Sequence, residues 1–231
     1  MKTDLKENLS RVQEKIDKAA LAAGRQPEEI TLIAVTKTFP VTVVNEAIAA
    51  GVQHIGENRI QEARQKLPEI NQPVTKHLIG HLQRNKVKYA VKLFDMIQSV
   101  DSISLAEEIN SRCAKLDLKI PVLIEVNTSD EPAKFGCHPQ EALTLLKAID
   151  RLPNLSARGF MTIAVYSDDP EVVRPCFRQL KVIYDESKTL PLQNGVIETL
   201  SMGMSSDFEL AISEGANMVR IGSAIFGQRN V

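Results

Sequence analysis

Lysine 37 closes the run Ile30-Thr31-Leu32-Ile33-Ala34-Val35-Thr36-Lys37, and no other residue of the chain points so directly to chemistry. The run is apolar and β-branched, as in a strand buried in a parallel sheet. Phe39-Pro40 break it, and the helix-like segment 41–50 follows. An amine at the carboxyl end of such a strand points to the face where α/β folds bind ligands. An ammonium held against an apolar wall tends to lose its proton, and a neutral amine attacks a carbonyl carbon. Taken alone, the segment also suits a lysine that simply extends its ammonium to water.

Seven further strand-like segments end in polar residues that would share a site with this amine. The ends carry Asn58, His81, Asn127 with Glu131 and Lys134, Met161-Thr162, Ser201-Met202-Gly203 and Arg220-Ile221-Gly222-Ser223. The set holds one candidate nucleophilic amine, several neutral donors, one arginine and two glycine turns. It lacks the paired carboxylates of a glycosidase and the ligand cluster of a metal site. Gly203 and Gly222 permit close backbone approach, and amides with serine hydroxyls hold a phosphate dianion. The plainer alternative is that both glycines only serve tight turns. Ser206 with Glu209 fits a capping box that opens the following helix. His77 and His81 are four apart but straddle a strand end, which argues against a shared metal. Arg84, Lys88 and Lys92 recur every four residues, the pattern of a solvated helix face.

The elements that must position these residues alternate along the chain. Strands are expected over 30–37, 54–58, 75–80, 96–100, 120–127, 157–163, 198–202 and 218–222. Helices are expected over 41–50, 59–67, 82–93, 102–116, 138–150, 170–188 and 205–214, after an opening helix with Leu5, Leu9, Val12 and Ile16 on one face. Asp4 and Glu7 are candidates to cap that opening helix. The stripe Val173, Phe177, Leu180 and Tyr184 reads as core packing rather than a partner surface. Eight strand–helix repeats without a linker predict a single-domain (β/α)8 TIM barrel over 1–231, with an extra N-terminal helix. A doubly wound sheet would need a Gly-rich turn after the first strand, and Lys37-Thr38-Phe39-Pro40 is not one.

Bulk properties exclude several classes of function. The net charge is −1 at pH 7 and Trp is absent, so neither a phosphate backbone nor stacked bases are natural ligands. The three cysteines form no CxxC and support neither a disulfide scaffold nor a zinc ribbon. The charged N-terminus lacks an apolar segment and no run matches a membrane span, so a cytoplasmic protein is expected.

Taken in order, the segments resemble the pyridoxal-phosphate homeostasis proteins, single-domain relatives of the alanine racemase barrel. The resemblance rests on Ala34-Val35-Thr36-Lys37, Gly56-Glu57-Asn58 with Gln61-Glu62, and His77-Leu78-Ile79-Gly80-His81-Leu82-Gln83 with Asn85-Lys86. It continues through Asn127, Lys134, Gly136 and Gly159-Phe160-Met161-Thr162. Its most specific stretch is Leu200-Ser201-Met202-Gly203-Met204-Ser205 with Asp207, running on to Val219-Arg220-Ile221-Gly222 and Ile225-Phe226-Gly227. The resemblance implies that Lys37 holds pyridoxal 5′-phosphate (PLP) as a Schiff base. It implies phosphate contacts for Ser201, Gly222 and Ser223, a place for Arg220 opposite the pyridine nitrogen, and one near the ring for Asn58. An always-charged guanidinium there would disfavour protonation of that nitrogen and moderate carbanion chemistry.

A PLP carrier in vitamin B6 homeostasis, with indirect effects on amino-acid and keto-acid balance, is the leading expectation. Its partners would be PLP and PLP-requiring apoenzymes, and nothing in the pattern demands more than a monomer. A racemase-type enzyme is the alternative. It would need acid/base groups on both faces of a substrate, and the sequence offers no clear second base among Tyr89, Tyr166 and Tyr184. The β-domain of alanine racemase is not expected after the eighth strand. A cofactor-free lysine aldolase is the third reading.

Overall fold

A computed structural model describes residues 5–129, 131 and 133–227. Eight parallel strands close into a barrel in chain order. They are β1 (Thr31–Val35), β2 (His54–Glu57), β3 (Thr75–Leu78), β4 (Met96–Val100), β5 (Ile120–Glu125), β6 (Leu155–Met161), β7 (Thr199–Ser201) and β8 (Met218–Ile221). Closure runs through β1 and β8, with Thr31 opposite Met218 and Ala34 opposite Ile221. All eight expected strands are present, most of them shorter at their ends.

The surrounding helices are α1 (Leu5–Ala22), α2 (Val41–Ala49), α3 (Ile60–Lys66), α4 (Val87–Leu93), α5 (Ile103–Ala114), α6 (Ala142–Asp150), α7 (Pro170–Ser187), α8 (Phe208–Ser213) and the single turn α9 (Ser223–Phe226). The side-chain period of two along each strand divides the interior into two zones. Ala34, Ile55, Leu78, Ile97, Ile124, Phe160, Leu200 and Val219 join the shell between barrel and helices. The α7 stripe Val173, Phe177, Leu180 and Tyr184 is buried in that shell, as its spacing predicts. The alternate strand residues, among them Ile33, His77, Gln98, Leu123, Glu125, Met161, Ser201 and Arg220, fill the barrel itself.

Two local expectations are corrected. The strand ahead of Lys37 ends at Val35, because Thr38 turns into the left-handed region at φ +70° and the Phe39 amide bonds back to the Thr36 carbonyl. The Ser206–Glu209 capping box is not formed: Asp207 is the N-cap of α8, and its carboxylate accepts the Met204 amide instead. Asp4 lies outside the described residues. Gly159 is required where β6 passes β7, since at φ +145° an added Cβ would lie 1.8 Å from the Thr199 carbonyl oxygen.

Candidate cofactor site at the barrel mouth

Lys37 sits in the turn that leaves β1 at the carboxyl end of the barrel, half-buried. The turn is tied to both neighbours of β1. On the β2 side the Thr36 amide donates to the Gly56 carbonyl at 3.0 Å, continuing the barrel ladder one residue beyond the strand. On the β8 side Phe39 packs on Phe226 of α9, ring centroids 4.8 Å apart. That contact holds the lysine turn beside the Gly222–Ser223 loop.

The loops after β7 and β8 interlock. Gly203, at φ +94°, presses against α8, where an added Cβ would come within 2.6 Å of Ala211. Its carbonyl accepts the Arg220 amide at 3.0 Å. The Ser205 hydroxyl oxygen accepts the Gly222 and Ala224 amides at 3.2 and 3.4 Å. Two amides thus converge on one neutral oxygen, at a place where Gly222 is half-buried and Ser223 is exposed. Convergent amides of this kind suit an anion.

Arg220 lies just below, 3% exposed. Its Nη1 donates to the Ser201 hydroxyl and its Nη2 to the Thr162 carbonyl, both at 2.7 Å. Burial brings the guanidinium down to about 10 against the pull of Glu125 and Asp207, so it stays cationic at neutral pH. Ser201 is wholly buried, and its proton goes to Gln98 Oε1 at 2.8 Å. It stands opposite Met218, four residues short of Gly222. Its side chain therefore belongs to the floor under Arg220, and the hydroxyl at the loop amides is that of Ser205. From Gln98 the chain continues through Nε2 to His77 Nδ1 at 3.0 Å, and from His77 Nε2 to His54 Nδ1 at 3.1 Å. Burial, reinforced by His54, drives the His77 imidazole down to about 3.

On the other side of β1, Asn58 follows β2 with its side-chain Oδ1 buried and without a hydrogen-bond partner. Gly80 is needed beside it, since an added Cβ would lie 2.4 Å from the Asn58 carbonyl oxygen. A cleft of about 460 Å³ lined by Asn58, Arg59, Gln61, His81 and Lys86 opens next to it. His81, to which the sequence assigned nothing, lies 3.5 Å from Asp101 and stacks on Phe135 at 3.8 Å. Asn127, Glu131 and Lys134 organise the loop after β5. The Asn127 amide donates to the Glu131 carbonyl, and the Lys134 ammonium to the Ala164 carbonyl.

Glu125 is a buried carboxyl of the barrel interior to which the sequence reading gave no role. It is 5% exposed on the inward face of β5, and its Oε2 has no hydrogen-bond partner. Burial pushes the carboxyl up to about 7; Asp101 adds to the push and Arg220 opposes it. The signal was present as a single charge inside the apolar run 120–126. Among the described residues no group of three His, Cys, Asp or Glu is placed to hold a metal, and no helix is long and apolar enough to cross a membrane.

Residues 4–230 match the family model described as the alanine racemase N-terminal domain. The chain belongs to that family. Within it, the chain is 43% identical to the pyridoxal phosphate homeostasis protein of Aquifex aeolicus over 96% of its own length and 97% of the relative's. It is 41% identical to the protein of that name from Escherichia coli K12, with coverage of 98% and 97%. Among solved structures, it aligns with PipY of Synechococcus elongatus, determined with PLP bound, at a TM-score of 0.84 and 33% identity over 97% of this chain and all of that one. An alanine racemase of Clostridium difficile shares the fold alone, with a TM-score of 0.80 at 17% identity; the match covers 99% of this chain and 57% of the enzyme.

The donor set fits PLP. It offers an amine for the aldehyde, converging amides for the phosphate, a fixed cation near the barrel axis and an unsatisfied acceptor at Asn58.

Proposed function

We propose that this protein binds PLP covalently on Lys37 and serves vitamin B6 homeostasis, with negligible turnover of its own. The observation that carries the reading is the adjacency of two features within one staple: the Lys37 turn and the Gly222–Ser223 loop, joined through Phe39 and Phe226. An amine that condenses with an aldehyde must be presented beside whatever holds the rest of that molecule. In the condensation the Lys37 nitrogen and the aldehyde carbon form a C=N bond and release one water. PLP supplies a reversible carbonyl link and an electron sink; the residues supply its seat. On the phosphate side we place Gly222 and Ser223, with Ser205 at the Gly222 and Ala224 amides, and Ser201 supports that side from below through Arg220. Arg220 offers a cation to the ring, and Asn58 offers an acceptor at the mouth.

The relatives' names and the PLP bound to PipY support this reading. So does the placement of two of the three tyrosines. Tyr89 lies under Arg64 on the outer surface, Tyr184 packs in the α7 core and Tyr166 is exposed on the β6–α7 loop. Tyr89 and Tyr184 thus sit in the helical layer, away from the strand ends from which a second racemisation base would act. On this reading the partners are PLP and the PLP-requiring apoenzymes that would receive it.

Borohydride reduction of PLP-loaded protein, followed by peptide mass spectrometry, tests the attachment. A pyridoxyl mass on the peptide holding Lys37, lost in Lys37→Ala, is expected. Protein that stays colourless with added PLP would remove the proposal. A panel of L-amino acids tests turnover, and racemisation that disappears in Lys37→Ala would overturn the non-enzymatic part.

A further inference from the structure

Behind the Lys37 turn, between β2 and α3, lies a buried ion cluster with no part in the barrel lumen. Lys66, the last residue of α3, is 7% exposed. All three of its ammonium hydrogens are committed: to the Thr36 carbonyl at 2.8 Å, to Glu57 Oε1 at 2.8 Å and to Glu62 Oε1 at 2.6 Å. The same Glu62 oxygen accepts the Thr38 amide, and the same Glu57 oxygen accepts the Thr36 hydroxyl at 2.6 Å. The carbonyl before Lys37 and the amide after it therefore end on one ammonium–carboxylate pair.

From this arrangement we infer that Lys66 and Glu62 are positioning residues for Lys37, clamping the peptides on either side of it so that the amine is aimed at the Gly222–Ser223 loop. The inference rests on the PLP reading above and deepens it. Two observations favour positioning over plain stabilisation. A buried ion cluster is a poor source of stability, because desolvation cancels much of the attraction and apolar packing would serve as well. Here Glu57 Oε2 has no hydrogen-bond partner at all, and burial holds that carboxyl above its ordinary range despite Lys66. Second, Thr38 is β-branched at φ +70°, a conformation that persists only where surrounding contacts over-determine it. The contacts that determine it come from Glu62 and, through Thr36, from Lys66. Small displacements of a reacting amine are costly to its reaction, so a rigid turn has a use here.

The decisive variants are Glu62→Ala and Glu62→Gln, at a partly exposed position that both are expected to tolerate. Glutamine keeps an acceptor for the Thr38 amide, and alanine does not. Three quantities are compared with the parent protein at matched melting temperature. They are exchange of the Thr38 amide by NMR, the acylation rate of Lys37 by acetic anhydride mapped by mass spectrometry, and PLP affinity. Glu62→Ala is expected to speed Thr38 exchange about tenfold, alter Lys37 acylation several-fold and weaken PLP about tenfold. Glu62→Gln is expected to recover most of each change. A folded Glu62→Ala with all three quantities within about twofold of the parent overturns the clamp. If the parent takes up no PLP on Lys37, the functional reading falls, and Thr38 exchange with Lys37 acylation still decides the clamp.

Discussion

Replacing Glu125 by Gln should make the protein more stable at neutral and alkaline pH, although it removes a charge from beside Arg220. Glu125 is buried in the barrel, its Oε2 has no hydrogen-bond partner, and its carboxyl is pushed from an ordinary 4.5 up to about 7. The folded state thus holds the proton more tightly than the unfolded chain, which releases it near 4.5. Between those two values the native state binds more protons, so stability falls as pH rises, and it levels off above about 7. At about 1.4 kcal/mol for each pH unit, ionising Glu125 costs the folded state about 3 kcal/mol. A glutamine of the same shape stays neutral throughout. The chain has no Trp, so guanidinium unfolding is best followed by far-UV circular dichroism at pH 5, 6, 7 and 8. The variant should match the parent near pH 4.5 and exceed it by about 3 kcal/mol at pH 8. Reading the difference between the two proteins matters. Glu57 and Asp207 are also raised by burial and slope the same way, whereas the lowered His77 slopes the opposite way. Parallel stability curves for parent and variant would refute the reasoning.

Gly159→Ala should cost more than about 3 kcal/mol or abolish soluble protein, because the new methyl meets the Thr199 carbonyl at a backbone angle alanine avoids; soluble yield and unfolding midpoint check it. Gln98→Leu should cost about 2–4 kcal/mol by leaving the Ser201 proton and His77 Nδ1 unpaired inside the barrel, as denaturant titration would show. Phe39→Leu should cost about 1 kcal/mol of aromatic contact and weaken PLP several-fold, since it loosens the staple between the lysine turn and the phosphate-side loop; equilibrium titration with PLP reads the effect.

The order of the eight strands was legible because several of the runs are apolar and β-branched and all are short and separated by helix-like segments. The barrel mouth was legible for the same reason, since strand ends in such a fold share one face. What the sequence does not reveal depends on pairings between distant residues. The early end of β1 follows from the left-handed Thr38, which nothing in Lys37-Thr38-Phe39-Pro40 demands without Glu62 to receive its amide. Lys66 reads as an ordinary helix lysine until α3 folds over β2. Ser201 was visible as a strand-end hydroxyl but not at its depth, which is set by the stagger of β7 against β8. The unformed capping box at Ser206 fails because Asp207, one residue later, turns its carboxylate back to Met204.

The hydrogen-bonded chain from Arg220 to His54 has a polarity that its distances alone do not express. A guanidinium only donates. Ser201 must then accept from it and pass its own proton to the Gln98 oxygen, which turns the Gln98 nitrogen toward His77 Nδ1. His77 is left with its proton on Nε2, facing His54 Nδ1, and His54 in turn carries its proton on Nε2. One strand-end cation thereby dictates the tautomers of two imidazoles at the other end of the barrel. The arginine cannot be inverted, and the donor order of the other links follows from it as long as Ser201 gives its proton to Gln98. The direction of the hydrogen bonds along the barrel axis is accordingly set from one end, by residue 220.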